Sequence, residues 1–235
     1  MAAAVFVAGG VVKGTLGIGL PLVSVPLLSL FIPATHAIAL VAMPVLVSNA
    51  WQAFDSGKLQ SLRRFAPLIA TQLVATLLTV PMTLAMSAKA TNVALGVVVL
   101  LAVALLCLPL RLEVAPERER WWSAGIGALS GVMGGVSSLT GPLIISYLMS
   151  LRLPREIFIG SISLIYLGAA IPLYASMAAY GRLGGAELAL SALALIPMAL
   201  GLAFGRKLRE HLSEIWFRRV LLTFLSLVAV VLVLK

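Results

Sequence analysis

The sequence predicts an all-α, polytopic membrane protein built from two inverted-topology repeats. Each repeat is a broken, re-entrant helical hairpin followed by three transmembrane helices. Three observations predict this: the composition, a duplication at fixed offset, and the distribution of positive charge among the connectors. Of 235 residues, 61% are hydrophobic and 11% are charged, against about 25% charged in a soluble domain. Apolar runs such as "VLLTFLSLVAVVLVL" match the roughly 20 helical residues that cross a bilayer core of about 30 Å. Such runs continue to Leu234, so the first is expected to be structural and not a cleaved signal peptide. A net charge of +9 fits cytoplasmic loops that fix membrane orientation better than it fits nucleic-acid binding. With Cys107 the single cysteine, no intrachain disulfide is possible.

In chain order the apolar segments run over 2–31, 37–54, 65–86, 91–110, 121–151, 157–180, 186–204 and 215–234. The connector "RLEVAPERER" at 111–120 separates a first repeat, 1–110, from a second, 121–235. A shift of 121 residues places Gly10, Gly14, Pro21 and Pro33 on Gly131, Gly135, Pro142 and Pro154. Val11, Leu22, Leu27, Ser29 and Leu30 match Val132, Leu143, Leu148, Ser150 and Leu151 at the same offset. Glycines and prolines in register mark a duplication, an architecture shared by many secondary transporters.

The first and fifth segments are too long for one span and too interrupted for one helix. Each is expected to divide into pieces of some 10–13 residues, reaching roughly 15–20 Å at 1.5 Å per residue. The pieces either stack into one crossing or fold back, and the charges decide. If all eight segments cross, the Lys and Arg of the connectors and ends divide evenly between the two sides. If segments one and five return to the side they left, only Lys89, Arg182 and Lys235 fall on one side and all others on the opposite side. A strong asymmetry is the mark of normal insertion. The hairpin reading follows, with the 111–120 linker cytoplasmic, both termini outside, and hairpin tips near 13–20 and 134–141 meeting at the membrane midplane.

Non-helical backbone at that depth is tolerated only where protein buries it or where it lines a wet cavity. Pro21 and Pro142 suit the first turn of the outgoing half-helices, where a missing N–H costs nothing. The free N–H groups and the helix dipole there favour an anion, and Lys13 adds a full positive charge. Thr15 in the first tip, with Ser137, Ser138 and Thr140 in the second, supplies hydroxyl donors. Gly14, Gly17, Gly19 and Gly141 let the backbone turn and approach a ligand. Gly9, Gly10, Gly131 and Gly134 serve close helix packing as readily as ligand approach. The remaining candidates are polar side chains within spans: Asn49 and Gln52 in the second segment, Gln72 in the third, Ser163 and Tyr166 in the sixth. A buried amide can equally find its partner on a neighbouring helix.

"GGVVKGTLGIGLPLVSVPLL" with "IPATHAIAL", and "GALSGVMGGVSSLTGPLII" with "LRLPREIFIGSIS", resemble the sulfite exporter TauE/SafE family of membrane transporters across both halves. The resemblance implies transport of sulfite, sulfonates or related organosulfur anions across a bacterial inner membrane. Expected partners are therefore a small organic or inorganic sulfur oxyanion, the lipid bilayer and a second copy of the chain, with no nucleic acid, cofactor or metal. All acidic residues fall in connectors or at segment ends, so a proton-coupled carrier would have to use Asp55 or the proton of its own substrate. A passive anion channel shares the electropositive site but not alternating access. An intramembrane enzyme would need a metal cluster, a carboxylate pair or an activated nucleophile near the bilayer, and no such pattern occurs within the spans.

Overall fold

In the bilayer core an unpaired backbone N–H or C=O costs several kcal/mol, so a spanning chain must pair its polar backbone internally. In the computed structural model, which describes residues 1–16, 19–55, 61–107, 114–209, 211 and 213–235, the chain meets this demand with helices. The first half comprises α1 (Ala2–Leu16), α2 (Leu20–Ser29), α3 (Ala34–Leu40), α4 (Ala42–Asp55), α5 (Ser61–Arg64), α6 (Ala66–Ala85) and α7 (Ala88–Cys107). After a 3₁₀ turn at Pro116–Arg118 come α8 (Glu119–Ser137), α9 (Gly141–Ser150), α10 (Arg155–Ala179), α11 (Gly185–Leu193), α12 (Leu195–Leu208) and α13 (Glu214–Leu234).

Five apolar stretches are long enough to cross a membrane: α6, α7, Gly160–Ala179 of α10, Gly185–Leu208 across α11 and α12, and Trp216–Leu234 of α13. The bent pair α3 and α4 brings the number to six if it forms one span. These coincide with segments expected to cross fully, and the chain is a multi-pass membrane protein.

Segments one and five are broken where expected, but their first pieces are longer than the sequence suggested. α1 has 15 residues and α8 has 19. Lys13 and Gly14 therefore lie inside the last turns of α1, not in a loop. Glycine in a helix costs about 1 kcal/mol relative to alanine, and here close packing offsets that cost. A Cβ at Gly10 or Gly14 would overlap the carbonyl oxygens of Met198 or Leu202 on α12, and one at Gly201 or Gly205 would overlap those of Val7 or Val11. The backbones of α1 and α12 thus touch along their length. The same device joins α8 to α6, where a Cβ on Gly131 would come 2.5 Å from the Gln72 carbonyl oxygen.

Both broken segments fold back on themselves. The Tyr147 hydroxyl, on α9, lies 2.6 Å from Ser123 Oγ and donates to the Glu119 carbonyl at 3.4 Å, so the end of α9 sits beside the start of α8. In the first hairpin Gly9 of α1 faces Ser24 of α2. Packing between the halves follows an exchange: α1 lies on α12 as α8 lies on α6, while α4 faces α10 and α7 faces α13.

The second segment was expected as one span, and it bends by 40° at Val41. Pro44 has no N–H to give the Leu40 carbonyl, so a straight helix would leave that oxygen unpaired. Ser191 of α11 fills the gap: its hydroxyl donates to the Leu40 carbonyl at 2.8 Å and accepts from the Met43 N–H at 2.8 Å.

Candidate anion site

The two hairpin breaks, the end of α1 and one face each of α4 and α10 converge on a cavity of about 60 Å³. That is several times the roughly 10–15 Å³ needed to hold one water. Helical spacing explains the side chains that reach it. Val45, Asn49 and Gln52 lie three or four residues apart on α4, and Ile162, Tyr166, Ala169 and Leu173 repeat likewise on α10.

The starts of α2 and α9 both border this space, through Gly19–Pro21 and Thr140–Pro142. Gly19 has φ 102°, a left-handed conformation that only glycine adopts without strain, and it turns the chain into α2. At the second break Ser138 takes that role with φ 62°, an uncommon conformation for a residue with a side chain. Its hydroxyl lies 3.3 Å from that of Tyr174, and its N–H donates to the Gly134 carbonyl at 2.7 Å. Ser137 helps end α8 by bonding backbone in place of the helical ladder: it donates to the Met133 carbonyl at 2.7 Å and accepts from the Leu139 N–H at 3.2 Å.

Lys13 is 7% exposed and lines the cavity. It donates to Ser48 Oγ at 2.7 Å and to Asn49 Oδ1 at 3.3 Å. Both partners are neutral, and among the described residues no carboxylate pairs with it. Burying a charge without a counter-charge is expensive. On the facing wall the Tyr166 hydroxyl is buried with no hydrogen-bond partner among the described residues. It fills the space above Gly141, where a Cβ would come within 2.9 Å of that oxygen.

Of the residues singled out from sequence, Lys13, Gly19, Asn49, Ser138, Thr140, Gly141 and Tyr166 meet at this cavity, with Gln52. Others are engaged elsewhere. Gly14 lies against α12, and Thr15 donates to the Val11 carbonyl at 2.8 Å and the Gly205 carbonyl at 3.3 Å. Ser137 is occupied with backbone, and Gln72 donates to Ser130 Oγ at 3.1 Å within the α6–α8 contact. Gly17 and the side chain of Asp55 lie outside the described residues.

A family model described as sulfite exporter TauE/SafE matches residues 1–232. The chain belongs to the TauE/SafE sulfite exporter family. Membership implies a membrane transporter of sulfite or related anions. No curated protein and no solved structure matches the chain.

For a TauE/SafE protein, the residues that sequence reasoning passed over are Ser48 and Tyr174. Ser48 is the shortest contact of the Lys13 ammonium, and Tyr174 supports the strained Ser138. Tyr174 was within reach of a periodicity argument, because it lies two helical turns beyond Tyr166. Nothing local to Ser48 marks it, since its role depends on the docking of α1 against α4.

Proposed function

We propose that this TauE/SafE protein is a secondary transporter that carries a small sulfur oxyanion through the cavity between its two hairpin breaks. The observation that carries the reading is Lys13: a buried ammonium with only neutral partners among the described residues, at a cavity bordered by two helix starts. The helix starts contribute partial positive charge and unpaired N–H groups. Tyr166 adds a hydroxyl without a partner among the described residues, and Thr140 adds another hydroxyl at the cavity wall. An oxyanion entering there neutralises Lys13 and satisfies these donors together. Sulfite and sulfonate share the trigonal oxygen face that such converging donors recognise. Leu20, Val45, Ile145, Ile162 and Leu173 line the rest of the cavity and suit the organic part of a sulfonate.

On this reading the two repeats insert upside down relative to one another, with the 111–120 linker cytoplasmic and both termini outside a bacterial inner membrane. The exchange of helix contacts between the halves supports it. Alternating access then comes from moving one bundle against the other around a fixed site. The protein moves its substrate and does not transform it.

Reconstitution into liposomes tests the proposal. Uptake of labelled sulfite or a sulfonate should saturate, and preloading with unlabelled anion should accelerate it by counterflow. Flux that never saturates and shows no counterflow would identify a channel instead. Chemical conversion of the anion would identify an enzyme.

A further inference from the structure

Where α6 and α8 begin, a second, shallow basin of about 660 Å³ lies between them and shares no lining residue with the candidate anion site. Its rim carries Arg63, Arg64 and Arg120, against the single carboxylate of Glu119. That carboxylate is already committed. Arg64 holds it through two hydrogen bonds, Nε to Oε1 at 2.6 Å and Nη2 to Oε2 at 2.9 Å. The bond to Glu119 also raises the Arg64 guanidinium above its ordinary range. Among the described residues neither Arg63 nor Arg120 is ion-paired, and both are exposed.

The floor and the surroundings of the basin say what this charge faces. Ala66 and Ala70 of α6 form its apolar side. Below them the outward face of α6 continues through Leu73, Val74 and Leu77, all exposed and spaced as one helical stripe. Because α6 begins its span at Ala66, the arginines sit at the level of the membrane interface. Trp121 and Trp122, 80% and 40% exposed on α8, stand where interfacial aromatics anchor at headgroup depth. A charged pocket at headgroup level that opens onto an apolar stripe matches an amphiphile with a negative head.

We propose that this basin binds an anionic phospholipid, its phosphate between Arg63 and Arg120 and an acyl chain along Ala70, Val74 and Leu77. Bidentate arginine contacts to phosphate oxygens supply the specificity, and the stripe supplies the apolar half. Bound there, the lipid bridges α6, which backs the second hairpin, to α8, the first arm of that hairpin.

Tryptophan quenching tests this in vesicles. With Trp51→Phe and Trp216→Phe in place, emission comes from Trp121 and Trp122 beside the basin. In phosphatidylcholine vesicles, a minor fraction of brominated phosphatidylglycerol should quench more strongly than the same fraction of brominated phosphatidylcholine. Arg63→Gln and Arg120→Gln should each reduce that preference about fivefold, while the paired Arg→Lys variants keep part of it. Inorganic phosphate at millimolar concentration should leave the quenching unchanged. Equal quenching by the two lipids in the parent chain, or full preference in the double Gln variant, would overturn the proposal. Displacement of the lipid by inorganic phosphate would do so too, by showing a site for free anions.

Discussion

Lys235 reaches back to the end of α2: its ammonium donates to the Ser29 carbonyl at 3.3 Å and to the Leu30 carbonyl at 3.0 Å. Near the other end of α13, Arg218 donates to the Leu106 carbonyl at the end of α7. If all eight apolar segments crossed the membrane, Ser29 and Lys235 would lie on opposite sides, and so would Leu106 and Arg218. On the proposed topology, two hairpins that return to their side of origin would place both pairs on the same side.

The topology has a direct consequence. Cysteines placed at Pro116 and at Lys235, in a chain with Cys107→Ser, should react with an impermeant reagent from opposite sides of the membrane. Labelling of both from the same side would make segments one and five ordinary spans and remove the inverted repeat.

Glycine positions should separate sharply by what faces them. Gly131→Ala pushes a methyl into the Gln72 carbonyl and the Ala75 side chain, and overpacking of this kind costs about 1–3 kcal/mol. Gly125 has nothing within 4 Å of an added Cβ. In that helix Gly125→Ala should be neutral or stabilising by about 0.5–1 kcal/mol. Thermal melting of the two purified variants checks this; equal behaviour would mean α8 does not lie on α6 through Gly131.

Ser191→Ala should destabilise the fold by about 1–3 kcal/mol, since it strands the Leu40 carbonyl and the Met43 N–H. Pro44→Ala restores an N–H able to reach the Leu40 carbonyl, so it should soften the effect of Ser191→Ala. Additive losses in the double variant, measured by the same melting assay, would show that the serine does not act on the bend.

How much of this was legible in the sequence follows from these residues. The span-length apolar segments and both breaks came from length, glycine and proline, because bilayer thickness and backbone pairing act on local sequence. The position of Lys13 inside a helix did not. Lys13 and Gly14 read locally as part of a break, and only the face of Gly201 and Gly205, far along the chain, makes a helix there worth its cost. The bend at Val41 shows the same limit. Pro44 announces the missing hydrogen bond, but Ser191, which compensates for it, lies in the other repeat. Seven of the candidate residues met at the cavity because the breaks and helix faces that carry them were readable. Thr15 and Gln72 were drawn into helix contacts that no local pattern reveals.

Tyr166→Phe separates function from folding. Removing a buried hydroxyl that has no partner among the described residues should leave stability unchanged or slightly raised, yet on the proposed function it removes a donor to the bound anion. Sulfite or sulfonate affinity should fall about tenfold while the melting temperature holds. A loss of stability with unchanged affinity would place that hydroxyl in the fold and not in the site.

The central claim is that the transported anion is the counter-charge of Lys13. The most direct measurement is the sulfite or sulfonate affinity of Lys13→Ala, by titration calorimetry on protein shown to be folded and inserted. Loss of a charge-assisted hydrogen bond, at about 1.5–3 kcal/mol, predicts binding weaker by about tenfold to a hundredfold, with Lys13→Glu abolishing it and Lys13→Arg retaining part. An affinity unchanged in Lys13→Ala would contradict the account, leaving the lysine as a structural partner of Ser48 and Asn49 alone.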